Sequence, residues 1–228
     1  TINSCQDAIE AANGGAGVLC LFGNYGGDRM NFEMASEFAA INNIETRTVL
    51  GTDDIASAPI DEAHKRRGVA GLIFAYKTAG ALAERGGNLD AVEAIARKTG
   101  ERTRTIGVAL SSCQIPGAAA PNFTIADNEI EMGMGIHGEP GIWRRPIRPA
   151  DELVDEMIAM LLAERPADSE RRAKQQLETA GLTVVRPLVG PYVTSMEMGG
   201  ASISLCFLDD QIEDLLSAPA DCPFWRMG

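Results

Sequence analysis

The sequence is poor in histidine, in aromatic residues and in positive charge. Only two histidines occur among 228 residues, aromatic residues make up 5%, and the formal net charge is −12. Without clustered cations to neutralise phosphates, we do not expect DNA or RNA as a main ligand. No stretch approaches the roughly 20 apolar residues of a membrane span, and we expect no signal peptide. With 45% hydrophobic residues, the composition is that of a globular protein with a real core.

The five cysteines are scattered and never spaced as C-x-x-C. Cys20 and Cys206 lie inside apolar runs, which predicts small buried side chains rather than disulfides or metal ligands. The acidic pairs at 53–54 and 209–210 have no histidine at ligand spacing, and their position before apparent helices favours a role as N-terminal charge. We therefore predict no metal site and a reducing, cytoplasmic location.

Glycine-bounded apolar runs alternate with helical patterns along the chain. The run from Ala16 to Phe22 is apolar without alternation, as in a parallel strand buried on both faces. This order of elements predicts an α/β fold. Helices are predicted at 5–12 (capped by Asn3-Ser4), 30–40, 75–85, 88–99, 151–163, 170–180 and 209–216, and strands at 16–22, 46–50, 69–74, 105–109, 129–137, 184–185, 193–196 and 202–208.

The composition changes at residue 111, where a long irregular segment rich in proline and glycine begins. We predict a domain boundary in this segment. Residues 1–115 would then form the remainder of an N-terminal α/β domain, and residues 116–228 a C-terminal α/β domain.

The two histidines occur in different settings. His64 lies in the charged segment EAHKRR, and we interpret it as a solvated surface residue. His137 lies at the end of a predicted strand, in GMGIHGEPG. Glycine at this density lets backbone and ligand approach closely, and loops at strand ends are where α/β proteins place their sites. On pattern alone, a structural and a functional His137 are equally open.

The loop GNYGGD places Asp28 at a strand-to-helix junction. An aspartate there can cap the helix, which stabilises it by about 1 kcal/mol, or can point into a pocket as a general base. Both interpretations stay open. The spacing matches neither the dinucleotide nor the P-loop glycine pattern, and the carboxylate would repel a phosphate. A phosphate-binding loop is therefore excluded.

Five segments of the sequence resemble one family. They are GGAGVLCLFGNYGGDRMNFEMA, RRGVAGLIFAYKTAGALAE, RTIGVALSSCQIPG, EIEMGMGIHGEPG and PLVGPYVTSMEMGGASISLCFLDD. In this order they are similar to the ketose-binding K-subunit family of the dihydroxyacetone kinases, usually seen with NYTGD and IHGEPG motifs. The resemblance implies two α/β domains, each with a central, partly parallel sheet flanked by helices.

The resemblance also implies a role for each loop. The histidine of IHGEPG, here His137, forms a hemiaminal with the carbonyl of dihydroxyacetone or a similar short ketose, which discriminates against glycerol. The aspartate of NYTGD, here Asp28, contacts the terminal hydroxyl and accepts its proton during phosphoryl transfer. Gly23 and Gly27 of the same loop are implied as substrate-binding positions.

The implied division of labour assigns the phosphoryl donor to another domain. This chain is expected to bind no cofactor or metal, whereas Mg-ATP, or an ADP-relayed phosphoryl group, is expected on a separate helical L domain or subunit. The K subunit is expected to be a homodimer that binds neither nucleic acid nor membrane. The resemblance leaves one alternative, a ketose-binding coactivator paralogue without kinase activity.

The sequence departs from the family pattern at four places. The family carries a G-G-G-S-G-H-E-P loop before these residues and a V-N-G-x-G-A-T-P-like loop between Ser169 and Glu170; we expect the complete protein to carry both, with a genuinely shortened protein as the alternative. Gly23 replaces a lysine of the phosphotransferase-linked members, which favours an ATP-dependent kinase. Gly26 replaces the usual threonine, which makes room for a longer sugar such as erythrulose.

Overall fold

A computed structural model describes residues 1–114, 117–164, 192–195 and 202–208 of the chain. Its helices are α1 (Ile2–Ala12), α2 (Gly26–Ile41), α3 (Leu72–Glu84), α4 (Leu89–Arg102) and α5 (Ala150–Ala163), with a 3-10 helix at Ile60–Lys65. Its strands are β1 (Val18–Gly23), β2 (Thr46–Gly51), β3 (Thr103–Ala109), β4 (Glu129–Met132), β5 (Trp143–Pro146), β6 (Tyr192–Ser195) and β7 (Ser202–Leu208).

The first sheet is a parallel pair, β1 and β2, in register from Val18 opposite Thr46 to Gly23 opposite Gly51. Helices cover both of its faces, which explains why β1 is apolar without alternation. One face packs against α1 and α2 through Ile9, Val18, Cys20, Phe22, Ala35, Ala39 and Ile44. The other packs against α3 and α4 through Leu19, Leu21, Val49, Ala79, Leu82, Val92 and Ala96.

The second sheet has five strands in the order β5-β4-β3-β7-β6, and every one of its ladders is antiparallel. A parallel bridge between Asp54 and Thr105 joins the end of β2 to β3. The predicted α/β class is confirmed, with the parallel pairing in β1, β2 and this bridge. Helix α5 closes the core over this sheet, through Ile106, Val108, Ile130, Met132, Leu153, Met157 and Leu161.

The predicted boundary between 115 and 116 separates strands of one sheet. β3 precedes it, yet β3 pairs with β4 and β7, which follow it. The boundary stays a prediction. A division by sheets would instead separate β1 and β2 from the five strands of the second sheet. Among the described residues, no helix is long and apolar enough to span a bilayer.

Three sequence predictions are wrong in their detail. The apolar run at 69–74 is not a strand; it leads into α3, because the amides of Val69 and Gly71 donate to the buried carboxylate of Asp53 at 3.1 and 2.9 Å. The strand predicted at 129–137 ends at Met132, because Gly133 turns the chain with φ of 77°. Helix α1 is capped by Thr1 rather than by Asn3-Ser4.

Most of the remaining predicted elements within the described residues are confirmed within a few residues, including the helix at 151–163 and the strands at 46–50 and 105–109. The strands at 193–196 and 202–208 are confirmed as β6 and β7. The predicted elements at 170–180, 184–185 and 209–216 lie outside the described residues.

Candidate functional site

Two loops that are far apart in sequence meet at the carboxyl end of β1. Asn24 and Tyr25 follow β1, and α2 begins at Gly26. The ring of Tyr25 packs edge-to-face on the ring of His137, with centroids 4.7 Å apart and planes at 90°. The structure thus brings together the NYGGD and IHGEPG segments that the sequence singled out.

His137 is presented rather than buried. Its side chain is 61% exposed, and Nδ1 lies 3.1 Å from Oε1 of Glu139. Its backbone amide donates to the other oxygen of Glu139, Oε2, at 3.1 Å. When Nδ1 donates its proton to Glu139, Nε2 carries the free lone pair of a neutral ring. An imidazole in this arrangement can act as a nucleophile at Nε2.

Glu139 is held as a carboxylate. Partial burial on its own raises the pKa of Glu139, but hydrogen bonds from its own backbone amide, from the amide of His137 and from the His137 ring outweigh burial and lower this pKa. A charged carboxylate is the stronger acceptor for Nδ1–H. Glu139 therefore orients the His137 ring from within the same loop.

The loop that carries His137 is a tight turn closed by backbone hydrogen bonds. Gly135 N–H donates to the carbonyl of Glu139 at 2.9 Å, and Gly138 N–H donates to the carbonyl of Gly135 at 3.0 Å. Gly135 has no room for a side chain, because a Cβ there would overlap the Glu139 carboxylate and the Arg67 guanidinium. The loop is thus wrapped closely around an ion pair.

Arg67 is the cation of that ion pair, and it joins three parts of the chain. Its Nε donates to Oδ2 of Asp54 at 2.9 Å, and its Nη2 donates to the carbonyl of Gly133 at 3.0 Å. Its Nη1 lies 3.7 Å from Oε2 of Glu139. The segment after the 3-10 helix is thereby tied both to the end of β2 and to the His137 loop.

Burial shifts the pKa of three ionisable groups near the His137 loop. Burial raises the pKa of Asp54 to about 6, and nearby Arg67 opposes this shift only in part. Burial also raises the pKa of Asp53, although Thr105, Val69 and Gly71 donate hydrogen bonds to it. The pKa of Tyr25 is raised by burial first and then by the charge of Glu139. The exposed His137 ring therefore sits in front of a poorly hydrated polar cluster.

Asp28 is exposed in the first turn of α2, three residues beyond Tyr25. Burial, followed by the charge of Asp28, raises the pKa of Tyr76 on α3. The predicted role of Asp28 as a base, like the adduct predicted at His137, stays a prediction.

The glycines of the first loop differ in their surroundings. Gly23 is buried, and a Cβ there would come within 2.8 Å of the Tyr25 ring and 3.0 Å of the Gly68 carbonyl. Packing therefore requires glycine where some relatives are expected to carry lysine. Gly26 and Gly27 have open space where a side chain would stand. The substrate-binding roles of Gly23 and Gly27 stay predictions.

Sequence reasoning missed four residues of this cluster: Tyr25, Asp54, Arg67 and Glu139. Tyr25 and Glu139 stand within the two motifs, so the motifs themselves carried the signal. Arg67 belongs to the RRGVAG segment. The sequence places the acidic pair at 53–54 near a helix start, as N-terminal charge, whereas in the structure Asp54 binds Arg67.

His64 is exposed, as predicted. In the part of the chain that the structure describes, no group of three His, Cys, Asp or Glu side chains could hold a metal ion.

The Dak1 domain model matches residues 1–173 and 169–224, and so covers nearly the whole chain. The chain belongs to the Dak1 family. This agrees with the predicted resemblance to ketose-binding DhaK-like proteins. The two matched stretches overlap at 169–173, which is where the sequence departs from the family pattern.

Named relatives of this Dak1 protein include both subunits and longer kinases. It is 42% identical over 245 residues to the dihydroxyacetone-binding subunit DhaK of a PTS-dependent dihydroxyacetone kinase of Listeria innocua, covering 98% of this chain and 73% of that one. It is also 42% identical over 250 residues to an L-erythrulose kinase of Pectobacterium atrosepticum, covering 98% of this chain and 42% of that one.

A solved structure of the dihydroxyacetone kinase of C. freundii superposes with a TM-score of 0.76 at 31% identity. The match covers 96% of this chain and 43% of that kinase. The chain thus spans less than half of each of these two longer kinases.

Proposed function

We propose that this chain is the ketose-binding subunit or domain of a kinase for dihydroxyacetone or a related short ketose such as erythrulose. His137 holds the substrate as a hemiaminal while the terminal hydroxyl is phosphorylated. The observation that carries the proposal is the contact of Tyr25 with an exposed His137 whose Nδ1 is engaged by Glu139. Membership of the Dak1 family and the names of its relatives support the substrate class.

The adduct forms by addition, without a leaving group. The Nε2 lone pair of His137 attacks the ketose carbonyl carbon, and the C=O π electrons move to the oxygen, which takes up a proton. The Nδ1 proton leaves to water by way of Glu139 and balances the proton that the oxygen takes up from water, so that Glu139 ends as a carboxylate, the hemiaminal is neutral and its mass equals protein plus ketose. A polyol without a carbonyl cannot react in this way, which makes the step selective for ketoses. Covalent capture also fixes the direction of the terminal hydroxyl.

Asp28 is the proposed general base for phosphoryl transfer. Its carboxylate accepts the proton of the terminal hydroxyl as that oxygen attacks the phosphorus in line with the departing nucleotide oxygen. We propose that the phosphoryl group comes from Mg-ATP, or by relay through bound ADP, on a helical L domain or subunit. A homodimeric assembly, a cytoplasmic location and a division of the chain near residue 115 belong to the same proposal.

Intact-mass spectrometry of the full-length protein with dihydroxyacetone tests the adduct. Wild type is expected to gain the mass of one ketose, and His137→Ala is expected to gain none. His64→Ala is the matched control, since it removes the other exposed histidine and should keep the full mass increase. A wild-type protein that gains no mass would contradict the proposal.

Turnover with an L partner and ATP separates a kinase from a ketose-binding coactivator. We expect Asp28→Asn to keep the adduct but to lose phosphorylation by about 10²–10⁴-fold, the usual contribution of a general base. Adduct formation without any turnover in wild type would contradict the kinase and leave a regulatory protein. Turnover that is present in wild type and equal in Asp28→Asn would contradict the role of Asp28 as the base.

A further inference from the structure

Arg67 occupies a central position behind the candidate site. Its side chain is only 12% exposed, and it pairs with the nearly buried carboxylate of Asp54, with Nη2 at 2.8 Å from Oδ2. The backbone secures the same pair, because Asp54 N–H donates to the Arg67 carbonyl at 3.1 Å. Arg67 is therefore fixed before it meets the His137 loop.

The planar guanidinium reaches that loop at two points. Nη2 donates to the Gly133 carbonyl at 3.0 Å, where the chain leaves β4. Nη1 lies 3.7 Å from Oε2 of Glu139, the oxygen that also accepts from the backbone amide of His137. The planar guanidinium of arginine can reach the Gly133 carbonyl and the Glu139 carboxylate at once with fixed geometry, whereas a lysine ammonium cannot.

The charges around Glu139 explain why its ion pair with Arg67 affects the position of its carboxylate. Within the described residues, Glu139 faces the His137 ring on its own loop and Arg67, which is backed by Asp54, and its charge also raises the pKa of Tyr25 in the loop after β1. Without Arg67, Glu139 would lose the cation that faces it in a poorly hydrated space and would keep only the contacts within its own loop. Glu139 would then turn towards water and release Nδ1.

We propose that Arg67 is a positioning residue for His137. This inference rests on the adduct chemistry proposed above. Arg67 holds Glu139 where its carboxylate accepts from Nδ1–H, and this leaves Nε2 unprotonated and directed outwards. The hydrogen bond made by one ring nitrogen decides which nitrogen carries the proton. Arg67 thus selects the tautomer that can attack a carbonyl, although it touches neither the ring nor the ketose.

Nitrogen NMR of histidine-labelled full-length protein reads this tautomer directly, and it needs no ketose. Wild type is expected to hold neutral His137 mainly as the Nδ1–H form, and Arg67→Gln to lose that preference. His64 provides an internal control, and its signals should not change. Adduct formation in Arg67→Gln should fall about tenfold, as expected from the loss of the charge-assisted hydrogen bond between Nδ1–H of His137 and Glu139.

Three further variants distinguish positioning from general support of the fold. Arg66→Lys is the matched control: Arg66 is also buried and ion-paired, but with Glu164, so the His137 tautomer should be unchanged. Arg67→Lys keeps the charge without the fork, and it should shift the tautomer partly. In a Glu139→Gln background, Arg67→Lys should cause no further loss of adduct, because its effect passes through Glu139.

The outcomes are separable. A folded Arg67→Gln protein with the wild-type tautomer and wild-type adduct level overturns the inference. If thermal unfolding finds that Arg67→Gln does not fold, an unchanged tautomer in Arg67→Lys overturns it equally. A tautomer that changes with Arg67 in a protein that forms no adduct contradicts the proposed function instead.

Discussion

The ring of Tyr25 stands perpendicular to the ring of His137, with centroids 4.7 Å apart. Tyr25 follows a strand of the parallel pair, and His137 follows a strand of the antiparallel sheet. This contact joins the two motifs. It also restrains one side of the exposed imidazole ring, while Glu139 accepts a hydrogen bond from Nδ1.

The Tyr25 ring, rather than its hydroxyl, is expected to be needed at the site. No described residue forms a hydrogen bond with the buried hydroxyl, so Tyr25→Phe should leave the free energy of unfolding unchanged or raise it by about 1 kcal/mol. Tyr25→Leu removes the aromatic contact, worth about 0.5–1.5 kcal/mol, and should weaken the adduct about three- to tenfold. Urea unfolding and intact-mass titration measure the two effects. Equal loss of adduct in both variants would assign the role to the hydroxyl.

Asp54 is expected to make the protein less stable as pH rises from about 4 to 6. Its pKa in the folded protein is about 6, against an ordinary value of 3.8. A carboxyl whose pKa is raised by folding stabilises the folded state while it is protonated, and this contribution is lost as pH rises through the folded-state pKa. The contribution is at most about 3 kcal/mol for this shift. Urea unfolding at several pH values measures it.

Asp54→Asn is the control, because it cannot titrate. The difference in unfolding free energy between wild type and Asp54→Asn should change between pH 4 and 6, and should be constant above pH 7. A difference that is flat over the whole range would contradict the raised pKa.

The Arg66–Glu164 pair is expected to support the fold without affecting the chemistry. Arg66 is 0% exposed, and its two terminal nitrogens lie 2.8 and 3.1 Å from the Glu164 oxygens at the end of α5. Removing one partner of a buried pair costs about 3–5 kcal/mol. Arg66→Met should lower the free energy of unfolding by that amount, yet the remaining folded protein should form the adduct normally. A cost below about 1 kcal/mol would show that water enters this pair.

Gly26 is expected to set the length of sugar that the site accepts. A side chain there meets open space at the start of α2, so Gly26→Thr should fold normally. The added side chain should lower the preference for erythrulose over dihydroxyacetone by about tenfold, as one added group in a pocket can. Competitive adduct formation with both ketoses measures this preference. Gly26→Ala is the size control and should change it less; an unchanged ratio in both variants would remove Gly26 from the pocket.

The local sequence pattern predicted those elements whose burial is the same along their whole length. Both faces of β1 are covered by helices, and its sequence from Val18 to Phe22 reports this directly. The run at 69–74 carries no comparable signal, because an apolar stretch of this length is compatible with either a strand or a helix start. Its structure depends on Asp53, a distant carboxylate that accepts from the amides of Val69 and Gly71.

The site was predictable only in part for a similar reason. Motifs identified His137 and the Asp28 loop, because glycine-rich turns leave a local signature. Arg67 lies in an ordinary basic segment, and its contacts with Asp54 and Glu139 depend on how two sheets meet. No spacing in the sequence encodes that meeting.

The most direct test of the account is a bond between His137 and the ketose. Protein labelled with ¹⁵N-histidine and carrying His64→Gln would be mixed with dihydroxyacetone labelled with ¹³C at its carbonyl carbon. We predict that this carbon becomes tetrahedral and shows a one-bond coupling to a ring nitrogen of His137. A carbon that stays a free ketone or its hydrate, with no coupling to nitrogen, would contradict the account.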